Sequence, residues 1–370
     1  MEASGLCPEL TFINTRSSQD LSKKKQKPDI SIYWNDDRKG KQSLDFKAVD
    51  LWIENKNNGN DIFRTHADLM RDQDKDGDLE SHIRWSHSAY KICGQLIAYA
   101  AALHHSQFRV FSFGIVLFGD TGRLLRWDRS GVIYTESFPW KQRVTLFEFF
   151  WRLNFLSPVD RGYDTTVTRV MDDDDEAKAA LSKLRTYKGW EKGEIELAGL
   201  YRFLVHDDRA TDGQLRSYIT PGAIWDTDTL FGRSTFGYIA YDVATSKLVY
   251  LKDFWRTDLP RIEKEGDVYR KLHEKEVPNI PALGPAGDVP LSPDHASTFP
   301  LVVQKTVTQD YVKGSGSRHK WCPGRPCVEP YVHYRLVLET LGQPLNTFKS
   351  TRQLCEAIRD AIVGKECRLL

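Results

Sequence analysis

The sequence predicts an α+β protein of two successive halves, each a β-sheet with helices packed on it. Three observations carry that expectation. A chain of 370 residues with 40% hydrophobic and 12% aromatic content has material for two cores, because single cores stop growing at roughly 250–300 residues. Strand-like alternation over 29–34 and 48–56 gives way to helical spacing over 88–103 and then to three more strand-like runs, which together make a mixed sheet. Farther on, a glycine-bearing hairpin over 230–255 leads into an acidic helix from 265, and a further strand begins at 332.

Charge and composition narrow the partners. A net charge of +1 gives no general attraction to nucleic acid or acidic membranes. The N-terminus lacks a basic segment followed by an apolar one, and no apolar run approaches a membrane span. An intracellular protein, cytoplasmic or nuclear and with no membrane partner, is therefore expected. Six cysteines over this length are too sparse for a disulfide framework. Cys322 and Cys327 are the one close pair, with His319 and His333 nearby. Their spacing, interrupted by two prolines, departs from a zinc knuckle, so a reduced-thiol loop and no metal are expected there.

Residues 1–27 carry no sustained periodicity and end in Lys23-Lys24-Lys25-Gln26-Lys27, which reads as a flexible basic tail. A mixed α/β domain is expected over 28–160. Its second strand carries Glu54 and Lys56, and Pro28-Asp29 opens the strand before it. A spacing of two puts Glu54 and Lys56 on one strand face, within reach of Asp29 from the neighbour. Two carboxylates can hold a hard divalent cation while the lysine orients or deprotonates a water. The helix over 88–103 sets Ile92, Leu96, Tyr99, Ala100 and Leu103 on one side and places Gln95 four residues before Tyr99. This arrangement resembles the restriction-endonuclease-like nucleases. The resemblance implies a nuclease-like set of Asp29, Glu54, Lys56, Gln95 and Tyr99, with nucleic acid as the partner on that reading alone; the alternative is an inherited fold that no longer cuts.

Strands over 108–118, 124–127 and 132–135 complete this domain, the first two joined by the turn Gly119-Asp120-Thr121-Gly122. Asp72-x-Asp74-x-Asp76-Gly77 begins like a calcium loop, but Ile83 stands where a bidentate Glu is required, so a solvated acidic loop is expected. The helix over 146–156 is apolar on nearly every side, with Phe147, Phe149, Phe150, Trp151 and Phe155, and is expected to be buried where the halves meet. Asp172 to Glu176 reads as a helix entry, since acidic residues favour the helix N-terminus, within a helical linker over 161–215.

The second half, 216–342, is read around a loop and a charge pair. Gly232 and Gly237 stand at the outer spacing of a phosphate-covering glycine loop, with Ser234 in the middle slot and Ile239 in the apolar slot beyond. Residues without bulk let backbone N–H groups approach phosphate oxygens. Lys252 lies in the apolar run Leu248-Val249-Tyr250-Leu251, where a cation needs a partner. Glu265 opens a helix with Val268 and Leu272 at helical spacing, which turns one carboxylate toward that lysine. A Pro/Gly-rich insertion over 278–300 and a second long connection containing Gly314-Ser315-Gly316-Ser317 read as surface loops. From Val332 a strand runs into a polar connection through Glu339, Leu341 and Gly342, and a helix follows over 351–362.

The order of loop, strand lysine, helix glutamate and strand-to-hinge connection resembles the fungal-type protein kinase family over about 146–362. So do Leu156-Ser157-Pro158-x-x-Arg161-Gly162-Tyr163-Asp164 and Arg352-x-x-x-x-Glu356-Ala357-Ile358-Arg359-Asp360-Ala361. The resemblance implies a kinase-like N-lobe over 216–342, a hinge exit and first C-lobe helix over 343–370, ATP and Mg²⁺ as cofactors, and Ser/Thr protein phosphorylation. It also implies an ATP-binding set of Gly232, Ser234, Gly237, Ile239, Lys252, Glu265, Glu339 and Leu341. The catalytic-loop aspartate, its following Asn and the D-F-G-type aspartate have no counterpart in the sequence. A truncated, catalytically incomplete kinase is therefore expected, with no catalytic residue, and a non-catalytic scaffold or a metal-dependent nuclease stand as the alternatives.

Overall fold

Among the described residues the strands form two seven-stranded sheets. The computed structural model describes residues 5–17, 26–34, 44–56, 61–64, 86–171, 173–187, 196, 199–210, 213–224, 229–314, 328–342 and 345–369. The acidic loop at 72–83, the lysines at 23–25 and the Cys322/Cys327 pair lie outside them. The chain divides into two units. The first comprises Met1–Asp164, Asp228–Gly232 and Lys305–Tyr331, and the second comprises Thr165–Thr227, Arg233–Gln304 and Val332–Leu370.

In the first unit the elements are β1 (Leu10–Asn14), β2 (Ile30–Trp34), β3 (Val49–Asn55), α1 (His87–Ser106), β4 (Ser112–Phe118), β5 (Thr121–Asp128), β6 (Gly131–Tyr134), β7 (Phe138–Pro139) and α2 (Thr145–Leu153). The sheet runs in simple order from β1 to β6, with β7 beside β5. Only β3 and β4 pair in parallel, because α1 carries the chain across between them. Ser86 caps α1 by accepting from the Ala89 amide, and Leu96, Tyr99, Ala100 and Leu103 pack on Trp52, Val116 and Trp127. Alternate strand residues, Ile32, Leu51, Ile53, Ile115 and Leu117, face the other way and meet Leu146, Phe150 and Leu153 of α2. Only that stripe of α2 is covered. Phe147 and Trp151 are about half exposed, against the expectation of a helix buried all round, because the sheet offers α2 a single apolar surface.

Residues 5–17 are more than a tail. Cys7 and Leu10 are buried, and β1 pairs with β2 from Leu10 opposite Trp34 to Asn14 opposite Ile30. The unit closes on a buried carboxylate: Asp50 accepts from Arg109 at 3.2 Å, Arg161 at 3.3 Å and Tyr163 at 2.8 Å. Gly162, at φ +91, leaves no room for a Cβ against the Phe111 carbonyl.

The second unit holds β8 (Val167–Arg169), α3 (Asp175–Leu184), β9 (Tyr201–Val205), β10 (Arg216–Thr220), β11 (Phe236–Asp242), β12 (Lys247–Thr257), α4 (Glu265–Glu274) and β13 (Leu283–Asp288). A short helix, α5 (Thr308–Gly314), belongs to the first unit. The chain then returns as β14 (Tyr331–Leu338) and ends in α6 (Thr351–Leu369). The sheet order is β13-β14-β12-β11-β10-β9-β8. Gly237 lies opposite Lys252 and Ile239 opposite Tyr250, so Gly237, Ile239, Tyr250, Lys252 and Phe254 share one face. Two helices lie on that face. Ala177, Ala180 and Leu184 of α3 pack with Ile219, Ile239 and Tyr241, while Tyr269 of α4 packs with Phe254, Ala286, Tyr334 and Leu336. On the opposite face Arg335, fully buried, reaches Asp253 at 3.2 Å, Thr166 at 2.6 Å and the Leu204 carbonyl at 2.8 Å, joining four segments through one guanidinium.

Three expectations need correcting here. The span 161–215 is no linker, since β8, α3 and β9 within it are part of the second sheet and its cover. The insertion at 278–300 includes β13, an edge strand, where Pro285 costs no ladder bond. The span 216–342 is not one body, since 228–232 and 305–331 belong with the first unit. Leu230 is buried in that unit's core, and Arg129 donates to its carbonyl at 2.9 Å. Among the described residues no helix is long and apolar enough to cross a membrane.

Candidate functional site

The second unit brings Lys252 and Glu265 together. Lys252 alternates outward from the buried Leu251 and Asp253 on β12, and Glu265 is the first residue of α4, where the helix dipole favours a carboxylate. The ammonium bonds both carboxylate oxygens at 2.7 Å. Each side chain is about a quarter exposed, so the pair keeps one side to solvent.

Glu265 stays there because the start of α4 is seated on three sides. Lys264, just before the helix, bonds Asp208 at 2.6 Å and Asp288 at 2.7 Å. Arg256 takes both oxygens of Asp288, at 2.6 and 2.9 Å, and Arg270 reaches Asp207 at 3.3 Å. Burial alone would push the Asp208 carboxyl up, but His206 and Lys264 outweigh it and bring it down to about 2. Burial likewise opposes the Lys264 charge, and Asp288 and Asp208 overcome that and raise its pKa. The Gly266 amide donates to the Tyr334 hydroxyl at 3.2 Å, and the missing Cβ lets α4 sit directly on Tyr334 and Ala286.

The remaining members of the expected nucleotide set divide. Gly237 is already inside β11, where a side chain would overlap the Tyr250 ring; its bareness serves strand packing. Gly232, at φ +87, belongs to the first unit and gives its N–H to the Arg129 carbonyl at 2.9 Å. Ser234 is held at φ +37 and is 5% exposed, and its hydroxyl is without a hydrogen-bond partner among the described residues. Ile239 is buried in the cluster formed with α3, and Leu341 packs against the same cluster. Both apolar members of the expected set thus pack in the cluster that α3 helps to form. Glu339 is exposed, its amide bonded to the Ala282 carbonyl at 2.9 Å.

Sequence reasoning overlooked Arg233. Its guanidinium stands 3.7 Å from Glu265 and 5.0 Å from the centre of the Phe254 ring, which Lys252 approaches at 4.7 Å. A cation between the first glycine and the middle slot of the loop was the available signal.

The first unit gathers the other constellation. Lys56 donates to Glu54 at 2.5 Å and to Gln95 at 2.8 Å. Gln95 donates to the Tyr99 hydroxyl at 2.6 Å, which lies 2.8 Å from the Lys27 carbonyl and 3.1 Å from the second Glu54 oxygen. Asp29 accepts from the Asn55 amide at 2.8 Å. Burial raises the Glu54 pKa against the opposing pull of Lys56, and burial with the Glu54 charge raises that of Tyr99. Both Glu54 oxygens and one of Asp29 are thus engaged by protein donors. That donor set does not fit a divalent cation, and among the described residues no group of three or more His, Cys, Asp and Glu is placed to hold one.

A family model described as Fungal protein kinase matches residues 49–369. The match begins at the first residue of β3, far upstream of the expected start near 146, and continues past 362 to the end of α6. No curated protein and no solved structure matches the chain.

Proposed function

The chain belongs to the fungal protein kinase family, and from that premise we propose that its second unit is the nucleotide side of a phosphotransferase site. Lys252 receives the phosphates of ATP, and Glu265 holds the lysine in position. One observation carries this reading: a strand lysine meets a helix carboxylate through two bonds of 2.7 Å, the ion pair that phosphoryl transfer requires to be in place. The reaction class is Ser/Thr protein phosphorylation. Within these 370 residues no H-R-D or D-F-G sequence supplies the base or the metal-binding aspartate. Both Glu265 oxygens bond Lys252, and among the described residues no group of three or more His, Cys, Asp and Glu is placed to hold a metal ion. What this chain's residues contribute is binding rather than transfer, with the phosphate end accessible and the base end under α3.

Thermal unfolding with and without ATP tests the binding. A ligand that binds only the native state stabilises it, by about 2.7 kcal/mol at one hundred times its dissociation constant. A rise in melting temperature with millimolar ATP, lost in Lys252→Met, is expected; no rise in the wild-type protein sinks the reading. Phosphate transfer by this chain, abolished in Lys252→Ala, would overturn the restriction to binding.

The first unit supports a second reading, because Glu54, Lys56, Gln95 and Tyr99, distant in sequence, form one hydrogen-bonded group, and Asp29, just before the adjoining strand, accepts from the Asn55 amide. We read it as a nuclease-like framework in which the lysine fills the carboxylate's needs, and the unit as a scaffold. DNA cleavage with Mg²⁺ or Mn²⁺ that disappears in Glu54→Ala would restore the nuclease alternative.

A further inference from the structure

We propose that α2 is a contact between two copies of this chain: a second copy lays its own α2 antiparallel against the exposed stripe of Val144, Phe147, Trp151 and Phe155. The inference concerns the first unit alone and does not rest on the nucleotide-side reading.

The stripe is apolar surface that the fold leaves over. Leu146, Phe150 and Leu153 take the sheet side of α2, and a spacing of three and four residues lines the stripe along the side turned away from it. Val144 is 73% exposed, Phe147 45%, Trp151 48% and Phe155 69%. The Trp151 and Phe155 rings meet edge to face with their centres 5.3 Å apart, so the stripe presents a shaped surface.

Its area suits a second copy. A fully buried aromatic side chain covers about 150–250 Å², so the exposed parts of these four residues offer roughly 300–500 Å² per copy. Two copies together supply roughly 600–1,000 Å², and a specific interface buries about 1,200–2,000 Å² of which a little over half is apolar. The stripe can therefore form the apolar centre of an ordinary dimer contact.

Its charges are self-complementary. Glu148 and Arg152 flank the stripe on one side, exposed and paired with each other at 2.5 Å. The helix rises about 1.5 Å per residue, so a two-fold axis through residue 150 brings Glu148 of each copy level with Arg152 of the other. The same axis sets Phe147, Trp151 and Phe155 of one copy at heights between those of the other, and the rings interdigitate. A two-fold contact needs this kind of self-match. A flank of one acid and one base carries no net charge to attract an anionic lipid surface, which favours the protein occupant.

Sedimentation velocity of the full chain from nanomolar to high-micromolar concentration is the test. Wild type is expected to pass from monomer to dimer in the micromolar range. Trp151→Glu, at a half-exposed position, is expected to stay monomeric and to melt with dilute wild type. Glu148→Arg and Arg152→Glu each set like charges against one another across the axis, so each is expected to dimerise about tenfold more weakly or worse. Mixing these two variants restores both unlike pairs, and a heterodimer near wild-type strength is expected. Lys178→Glu, at an exposed cation on α3, is the control and should change nothing. A wild type that stays monomeric throughout overturns the inference, and so does a dimer that Trp151→Glu leaves intact. A mixture that restores nothing overturns it too, because the antiparallel register requires the rescue. A monomeric wild type that floats with phosphatidylserine vesicles would make the occupant a lipid surface and overturn it likewise.

Discussion

Gly266→Ala tests how the fold presents Glu265. Gly266 is buried in the first turn of α4, and an added Cβ would stand 2.5 Å from the Tyr334 hydroxyl and 2.7 Å from the Ala286 Cβ. Two effects oppose each other. Alanine favours the helix over glycine by about 1 kcal/mol, whereas overpacking a dense core costs about 1–3 kcal/mol. The Ala286 Cβ is fixed to the backbone of β13, so no rotamer change relieves that contact and the upper end of the range applies. A net destabilisation of about 2 kcal/mol is expected, lowering the melting temperature by about 4–8 °C for a unit of this size. If α4 instead moves outward, it carries Glu265 away from Lys252, and the ATP-induced rise in melting temperature shrinks. Adding Tyr334→Phe removes the 2.5 Å contact but not the 2.7 Å one, so it should recover only part of the loss. A Gly266→Ala protein that melts at or above the wild type with its ATP response intact would refute the described seating of α4.

Four other outcomes follow from the same coordinates. Asp208 and Asp253 are both brought down to about 2, the latter because His333 and Arg335 outweigh its burial. Their stabilisation is complete above the unfolded carboxyl value of about 3.9 and disappears as pH falls from there toward about 2. Urea midpoints across that window should therefore fall less steeply in Asp208→Asn. Glu54 has the opposite sign: with its pKa raised by burial, the native state holds the proton longer, and stability declines as pH rises through the folded pKa. Glu54→Gln should remove that decline, and an unchanged slope between pH 4 and pH 8 would contradict it. A Cβ at Gly114 would stand 2.5 Å from the fully buried Trp52 ring, so Gly114→Ala should cost about 1–3 kcal/mol by urea denaturation. Arg202 bonds Asp174 and Glu176 at the start of α3, each at 2.6 Å. Arg202→Ala should loosen α3 and strengthen ATP binding without changing tripolyphosphate binding; equal effects on both ligands would contradict a base end covered by α3.

Legibility followed the range over which each feature is encoded. The strand lysine, the helix glutamate and the Gln95/Tyr99 helix are fixed by alternation and helical spacing within a few residues, and the fold places each where that pattern points. The strand β1 was hidden because it is five residues long and only Leu10, Phe12 and Ile13 in it are apolar. Leu283-Gly284-Pro285-Ala286-Gly287-Asp288 carries the vocabulary of a turn, yet it forms an edge strand. There Gly287 fits against the His206 carbonyl, 2.6 Å from where a Cβ would stand. No local pattern tells that Leu230 is buried with Trp52 and Trp127, because the information lies in the distant residues that enclose it. The same holds for Asp128, which accepts from Val307 and Thr308 at 2.9 and 3.1 Å and so caps α5 from far along the chain.

The two charged groups share a design and differ in what it leaves over. Each pairs a strand lysine with a carboxylate and sets an aromatic ring beside them. In the first unit the account closes: Glu54 is 3% exposed, its two oxygens meet Lys56 and Tyr99, and Lys56 has a second acceptor in Gln95. A ligand entering there would first have to break bonds already made, so the group acts to stabilise the contact between β3 and α1. In the second unit both Glu265 oxygens bond Lys252, each side chain of the pair stays about a quarter exposed, and the Arg233 guanidinium stands 3.7 Å away with its side chain 57% exposed. Exposed cations beside a single carboxylate favour an arriving anion. That difference supports the proposal that places nucleotide binding in the second unit rather than the first.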